Sequence, residues 1–116
     1  MQNLPTIPSQ SQQSPSGKYT LRVIETQQDG ILYWTFEIIN DQGNPVFYCP
    51  DQFDIRHSTI ILWDDADRVW VYSGDVGLYI WEMSANDHSW KKSGYSQSSL
   101  TPPEYLLQAK AKFLRK

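Results

Sequence analysis

Two alternating apolar runs, KYTLRVIETQ and ILYWTFEII, meet at Gln28-Asp29-Gly30, and no other feature restricts the fold so strongly. Asp-Gly is the preferred pair for a two-residue type I′ turn, because both central positions must accept positive φ. Setting Gln28 opposite Ile31 fixes the register, since strand side chains alternate with period two. Leu21 then faces Ile38, Val23 faces Phe36 and Glu25 faces Trp34. On the other side Arg22 faces Glu37, Ile24 faces Thr35 and Thr26 faces Tyr33. One face is apolar, and the other carries an opposite-charge pair, as cross-strand chemistry favours. A chain that opens this way must build a sheet.

The rest continues in the same idiom. NDQGNP is a turn and VFYC a short strand, while PDQFDIRH is irregular because Pro50 cannot donate to a central ladder. STIILW is the most continuous apolar run and is expected to be a central strand, followed by a turn at DDAD. A second hairpin, RVWVYSGDVGLYIWEM, closes around Gly74–Gly77 read as a four-residue loop. That register stacks Trp70 on Trp81 and Tyr72 on Tyr79 as an aromatic ladder, with Val69, Val71, Leu78 and Ile80 on the opposite face. WKKSGY reads as a weak strand. Thr101 as N-cap, Pro102 at the first helical position and Glu104 completing a capping box begin a helix over 102–115. Leu106, Ala109 and Phe113 line one stripe of it.

The expected fold is mostly β (α+β). It is an antiparallel meander forming a curled sheet or small sandwich of about six or seven strands, closed by one C-terminal helix. The 116 residues allow one domain, read as 18–116. Residues 1–17 carry no charge and are mostly Gln, Ser and Pro, so they are expected to be a disordered leader or tether. A tether would suit a periplasmic or envelope-associated protein whose signal or lipidated cysteine had been replaced at Met1; the alternative is a cytoplasmic chain. No apolar run approaches the roughly 18 residues of a membrane span.

Charge is unevenly distributed. Between Lys18 and Asp87 there are twelve acidic residues against four basic ones, and from Lys91 onward six basic residues against Glu104 alone. An acidic body repels nucleic acid and attracts basic protein surfaces. The basic tail lacks the interleaved aromatics of a nucleic-acid site.

Several constellations could carry chemistry. SGDVGLYIW approaches the Asp-box of sialidase-type propellers, but Trp81 falls one place late and one chain of this length holds too few blades. The match therefore describes a turn rather than a glycosidase. Asp64, Asp65, Asp67 and Asp75 could gather around Ca²⁺, but no calcium-loop Gly or Glu follows. A Cys49–His57 dyad sits in an acidic neighbourhood, which disfavours a thiolate. No catalytic residues, metal ligands or cofactor are assigned on this basis. The aromatic ladder Trp70, Tyr72, Tyr79 and Trp81 is read as core beneath the C-terminal helix, or else as an exposed platform for a glycan or small molecule.

The stretch ILWDDADRVWVYSGDVG resembles small β-rich envelope and immunity-type proteins of bacteria across the central third of the chain. The resemblance carries no residue roles. Together with the acidic body it implies a non-enzymatic protein-binding module, an inhibitor or immunity-type protein that neutralises a basic partner. The acidic loops Asp64, Asp65, Asp67 and Asp75 would form the contact, the module being monomeric or dimeric.

Overall fold

The computed structural model describes residues 3–74 and 77–109. The first sheet contains β1 (Ser11–Gln13), β2 (Tyr19–Gln28), β3 (Ile31–Asn40), β4 (Pro45–Tyr48) and β5 (Phe53–Asp54). Its order is β1-β2-β3-β4, with β5 also pairing β3. The β2–β3 register is the expected one along its full length, from Gln28↔Ile31 to Tyr19↔Asn40. Asp29 (φ 53°) and Gly30 (φ 79°) both take the left-handed conformation that the two-residue turn demands. Arg22 pairs with Glu37 at 2.9 Å on the outer face. Pro50 lies in the gap that splits the next strand into β4 and β5. Cys49 N–H still donates to Phe36 O at 2.9 Å across that gap.

The second sheet is β6 (Ile60–Trp63), β7 (Val69–Ser73), β8 (Gly77–Met83) and β9 (Trp90–Gly94), paired in sequence order and antiparallel. The two sheets stack as a sandwich. Leu21, Val23, Phe36, Ile38 and Phe53 from the first meet Ile61, Trp63, Val69, Val71 and Trp81 from the second. Rings dominate this layer: Phe36 meets Trp81 edge-on at 5.2 Å, and Tyr19 meets Trp90 edge-on at 5.3 Å. Edge-to-face contacts of this kind match the ring quadrupoles. Truncating such a ring to Ala costs roughly 3–5 kcal/mol.

The outer face of the second sheet is covered as well. Leu62, Trp70, Tyr72, Leu78 and Ile80 form a second cluster with Leu106 of α1 (Glu104–Ala109), flanked by Tyr95, Leu100 and Tyr105. The helix packs on a sheet face as expected, but of the four rings expected beneath it only Trp70 and Tyr72 lie there. It begins two residues later than expected, because Pro103 disfavours a helical conformation at Pro102. The Glu104 carboxylate accepts from Gln108 Nε2 at 2.9 Å. Ala109 is exposed, and the remainder of the expected 102–115 helix, including Phe113, lies outside the described residues.

Three sequence readings change. The β7–β8 register is one residue away from the expected pairing: Ser73 pairs with Gly77, Tyr72 with Leu78, Val71 with Tyr79 and Trp70 with Ile80. The break is therefore Gly74–Val76, three residues rather than four, and Gly77 takes φ 102°. A one-residue slip moves every side chain of a strand to the other face. Trp70 and Tyr72 consequently face α1, while Tyr79 and Trp81 face the first sheet, so no four-ring ladder exists.

The run STIILW is an edge strand, not a central one. It is apolar throughout because both of its faces are covered, Ile61 and Trp63 by the first sheet and Leu62 by the helix layer. Its free edge is crossed by the segment expected to be a disordered leader. Thr6 N–H donates to Ile61 O at 2.7 Å, and the Trp63 indole donates to Gln12 O at 2.9 Å. Ser11–Gln13 also joins β2 as β1. Backbone pairing supplies what the segment's composition lacks, since an exposed strand edge offers unpaired groups to any extended chain. With β1 and the split β4/β5, the described residues contain nine strands.

Candidate functional site

The turn between β6 and β7 is built around one carboxylate. Asp64 N–H donates to Arg68 O at 2.8 Å to close the turn, and Asp67 takes φ 59° inside it. Asp64 Oδ1 accepts from Ala66 N at 2.9 Å and Arg68 N at 3.0 Å. Asp64 Oδ2 accepts from Arg68 Nε at 2.6 Å and from the Trp70 indole at 2.8 Å. The residue is 6% exposed. A buried carboxylate with four donors is a structural hub rather than a contact for another protein. It ties the turn to the outer-face core through Trp70.

Asp65 and Asp67 point elsewhere. Asp65 is exposed and accepts from Asn3 Nδ2 at 2.8 Å. Asp67 accepts from Ser16 N at 3.2 Å and from the Ser16 hydroxyl. Among the described residues no cation pairs with Asp65, Asp67 or Glu104, whereas Glu37, Asp51, Asp54 and Asp87 each hold one. Asp65 and exposed Glu104 line the same cleft of about 400 Å³, between the turn and the start of α1, with Arg68 and Pro102 in its wall. The fold thus gathers acidic groups that are nearly forty residues apart in the chain. Glu104 was not among the expected contact residues: it is a helix-start residue, and its proximity to the turn depends on where α1 docks. Asp75 lies outside the described residues.

The four rings of the alternative site are divided between the two faces of the second sheet, Trp70 and Tyr72 on one and Tyr79 and Trp81 on the other. Trp70, Tyr72 and Trp81 are buried, at 0%, 7% and 1% exposure. Stacking needs an open ring face, which these three lack. Tyr79 is half-buried, and Lys92 Nζ sits 4.4 Å from its ring centroid while pairing with Asp51 at 2.7 Å. The exposed face of Tyr79 is therefore occupied by the chain's own cation.

Cys49 is 1% exposed, and burial pushes its thiol up to about 11. Its environment, with Thr35 Oγ1 donating to the Cys49 carbonyl at 3.1 Å, fixes backbone rather than activating sulfur. His57 is exposed on the turn after β5, and its carbonyl accepts from Gly74 N at 2.6 Å. No helix among the described residues is long and apolar enough to cross a membrane. Comparison with known protein families, with curated proteins and with solved structures yields no match.

Proposed function

We propose that this chain is a non-enzymatic protein-binding module of the inhibitor or immunity type, which neutralises a basic partner such as a toxin or enzyme. The contact is the acidic end formed by Asp65, Asp67 and Glu104. The observation that carries the reading is that Asp65 and Glu104 line one cleft, with Asp67 two residues further along the same turn, and none of the three has a described ion-pair partner. Elsewhere on the body Glu37, Asp54, Asp87 and Asp51 are paired locally by Arg22, Arg56, Lys91 and Lys92, while Glu25, Asp29, Asp41 and Glu82, also without a described cation, are not gathered at that cleft. A concentrated patch steers a cationic partner better than the same charge spread evenly. Asp64 contributes by shaping the turn and not by touching the partner. A bacterial periplasmic or envelope setting belongs to the same proposal, and export of the chain in its native host is the observation that bears on it.

The test is an NMR titration with an oligolysine peptide at low and high salt. Shifts concentrated at residues 65–67 and 104, and abolished by salt, support the reading. Shifts spread equally over Asp29, Asp41 and Glu82 contradict it. The inhibitory role is tested separately, by whether a basic enzyme bound at this surface loses activity and regains it with Asp65→Lys and Glu104→Lys.

A further inference from the structure

Residues 3–13 cross the β6 edge as a strap, and they are held there lightly. Along the edge the strap makes the Thr6–Ile61 backbone bond and accepts from the Trp63 indole. Beyond it, three residue pairs join β1 to β2. Asn3 reaches Asp65, and Ser16, just past the strap, reaches Asp67. Apolar anchorage is poor: Leu4 and Ile7 are 54% and 44% exposed. Thr6 is fully buried, yet its hydroxyl has no hydrogen-bond partner among the described residues. A unit with few apolar contacts and exposed hydrogen bonds opens far more readily than the sheets beneath it.

What the strap covers is unusually receptive. Ile60–Trp63 is apolar at all four positions, and lifting the strap leaves its outer edge without a partner. Such an edge templates pairing with another extended chain. The hinge is also visible. Ser14 N donates to Tyr19 O at 2.8 Å and Gly17 N to Ser14 O at 2.9 Å, a tight turn that holds Pro15 and places Gly17 at φ 81°. If this turn straightens, residues 3–13 swing out as one extended piece.

We propose that the β6 edge is an interaction surface for a second copy of this chain, whose residues 3–13 replace the strap reciprocally. A second copy is the occupant that fits because its segment carries the same partners in the same order: the Thr6 amide for Ile61 O, and Gln12 O for the Trp63 indole. The exchange is isologous, with both grooves filled, so it closes at a dimer. Short hinge turns invite such exchange, because every strap contact is kept and only the turn changes. The segment has no charged residue. The pairing therefore resists salt, which separates this interface from the acidic end.

The test uses the full chain. Sedimentation is followed from micromolar to roughly millimolar protein, with and without a synthetic peptide of residues 3–13 in roughly tenfold excess. Amide exchange is measured in the dilute monomer. The expected result is a slowly exchanging dimer at high concentration, insensitive to salt and returned to monomer by the peptide. The Thr6 amide should exchange at least about 100-fold faster than that of Val71. A chain that stays monomeric at millimolar concentration overturns the proposal, as does a dimer that the peptide leaves intact. A Thr6 amide as protected as Val71 also overturns it, because the strap would then open only with the whole fold.

Discussion

The two hairpins of this molecule take their registers from different sources. In β2–β3 the faces differ chemically. Leu21, Val23, Phe36 and Ile38 lie on one, and the Arg22–Glu37 pair lies on the other. Only one register puts the first set in the core, and a two-residue Asp-Gly turn fits that register. In β7–β8 both faces are apolar, and a slip by one residue leaves them both apolar. The choice is made from outside the hairpin. Asp64 holds the Trp70 indole, Leu106 covers the same face, and Gly74 N is fixed by His57 O. A register is local information where the faces are unequal, and tertiary information where they are equal.

Removing the outside anchor should have the largest effect. Asp64→Ala leaves the Arg68 guanidinium and the buried Trp70 N–H without their acceptor, and denaturant unfolding should record a loss of about 3 kcal/mol. A loss below about 1 kcal/mol would show that β7 is held in place without Asp64, and the contrast between the hairpins would weaken.

The two turn glycines sharpen the contrast. A Cβ on Gly74 would meet His57 O at 2.8 Å, whereas a Cβ on Gly30 meets nothing within 4 Å. Gly74→Ala should cost about 2 kcal/mol through forced backbone movement. Gly30→Ala should cost about 1 kcal/mol, through its φ of 79° alone. Gly30→Asn should recover most of that loss, because Asn tolerates the left-handed region, while Gly74→Asn should recover none. Thermal melts of the four variants decide it, and equal losses at the two sites would break the distinction. The smallest effect belongs to the charge pair. Arg22 is 55% exposed, so Arg22→Gln should change unfolding free energy by no more than about 0.5 kcal/mol and leave the β2–β3 register intact by amide shifts.

The same division between local and tertiary information decides which parts of the fold are legible in the amino-acid sequence. The β2–β3 register, the Asp-Gly turn and the Arg22–Glu37 pair all follow from patterns within a few residues, whereas of the expected helix stripe only Leu106 is buried and Ala109 is exposed. Pro50 marks the break between β4 and β5 for the simplest reason, its missing N–H. The strap is illegible because its stabilising partner, the β6 edge, lies some fifty residues away and holds the strap's backbone through the Ile61 carbonyl and the Trp63 indole. Its own Ser, Gln and Pro content reports only the absence of a hydrophobic anchor.

The acidic end is half legible. The run Asp64, Asp65, Asp67 is plain in the sequence, and so is Arg68 beside it. Nothing in that run shows that Asp64 faces inward while Asp65 faces out, because the division depends on Trp70 passing beneath the turn. Glu104 joins Asp65 only through the docking of Leu106 into the outer-face cluster. Both facts depend on Trp70 lying on the face that Leu106 covers, opposite Trp81.

A single side-chain NOESY spectrum tests that arrangement most directly. The expected contacts run from the Trp70 ring to Leu106 and Tyr95, and separately from the Trp81 ring to Phe36 and Phe53. Strong cross-peaks between the Trp70 and Trp81 rings, with none from Trp70 to Leu106, would contradict it.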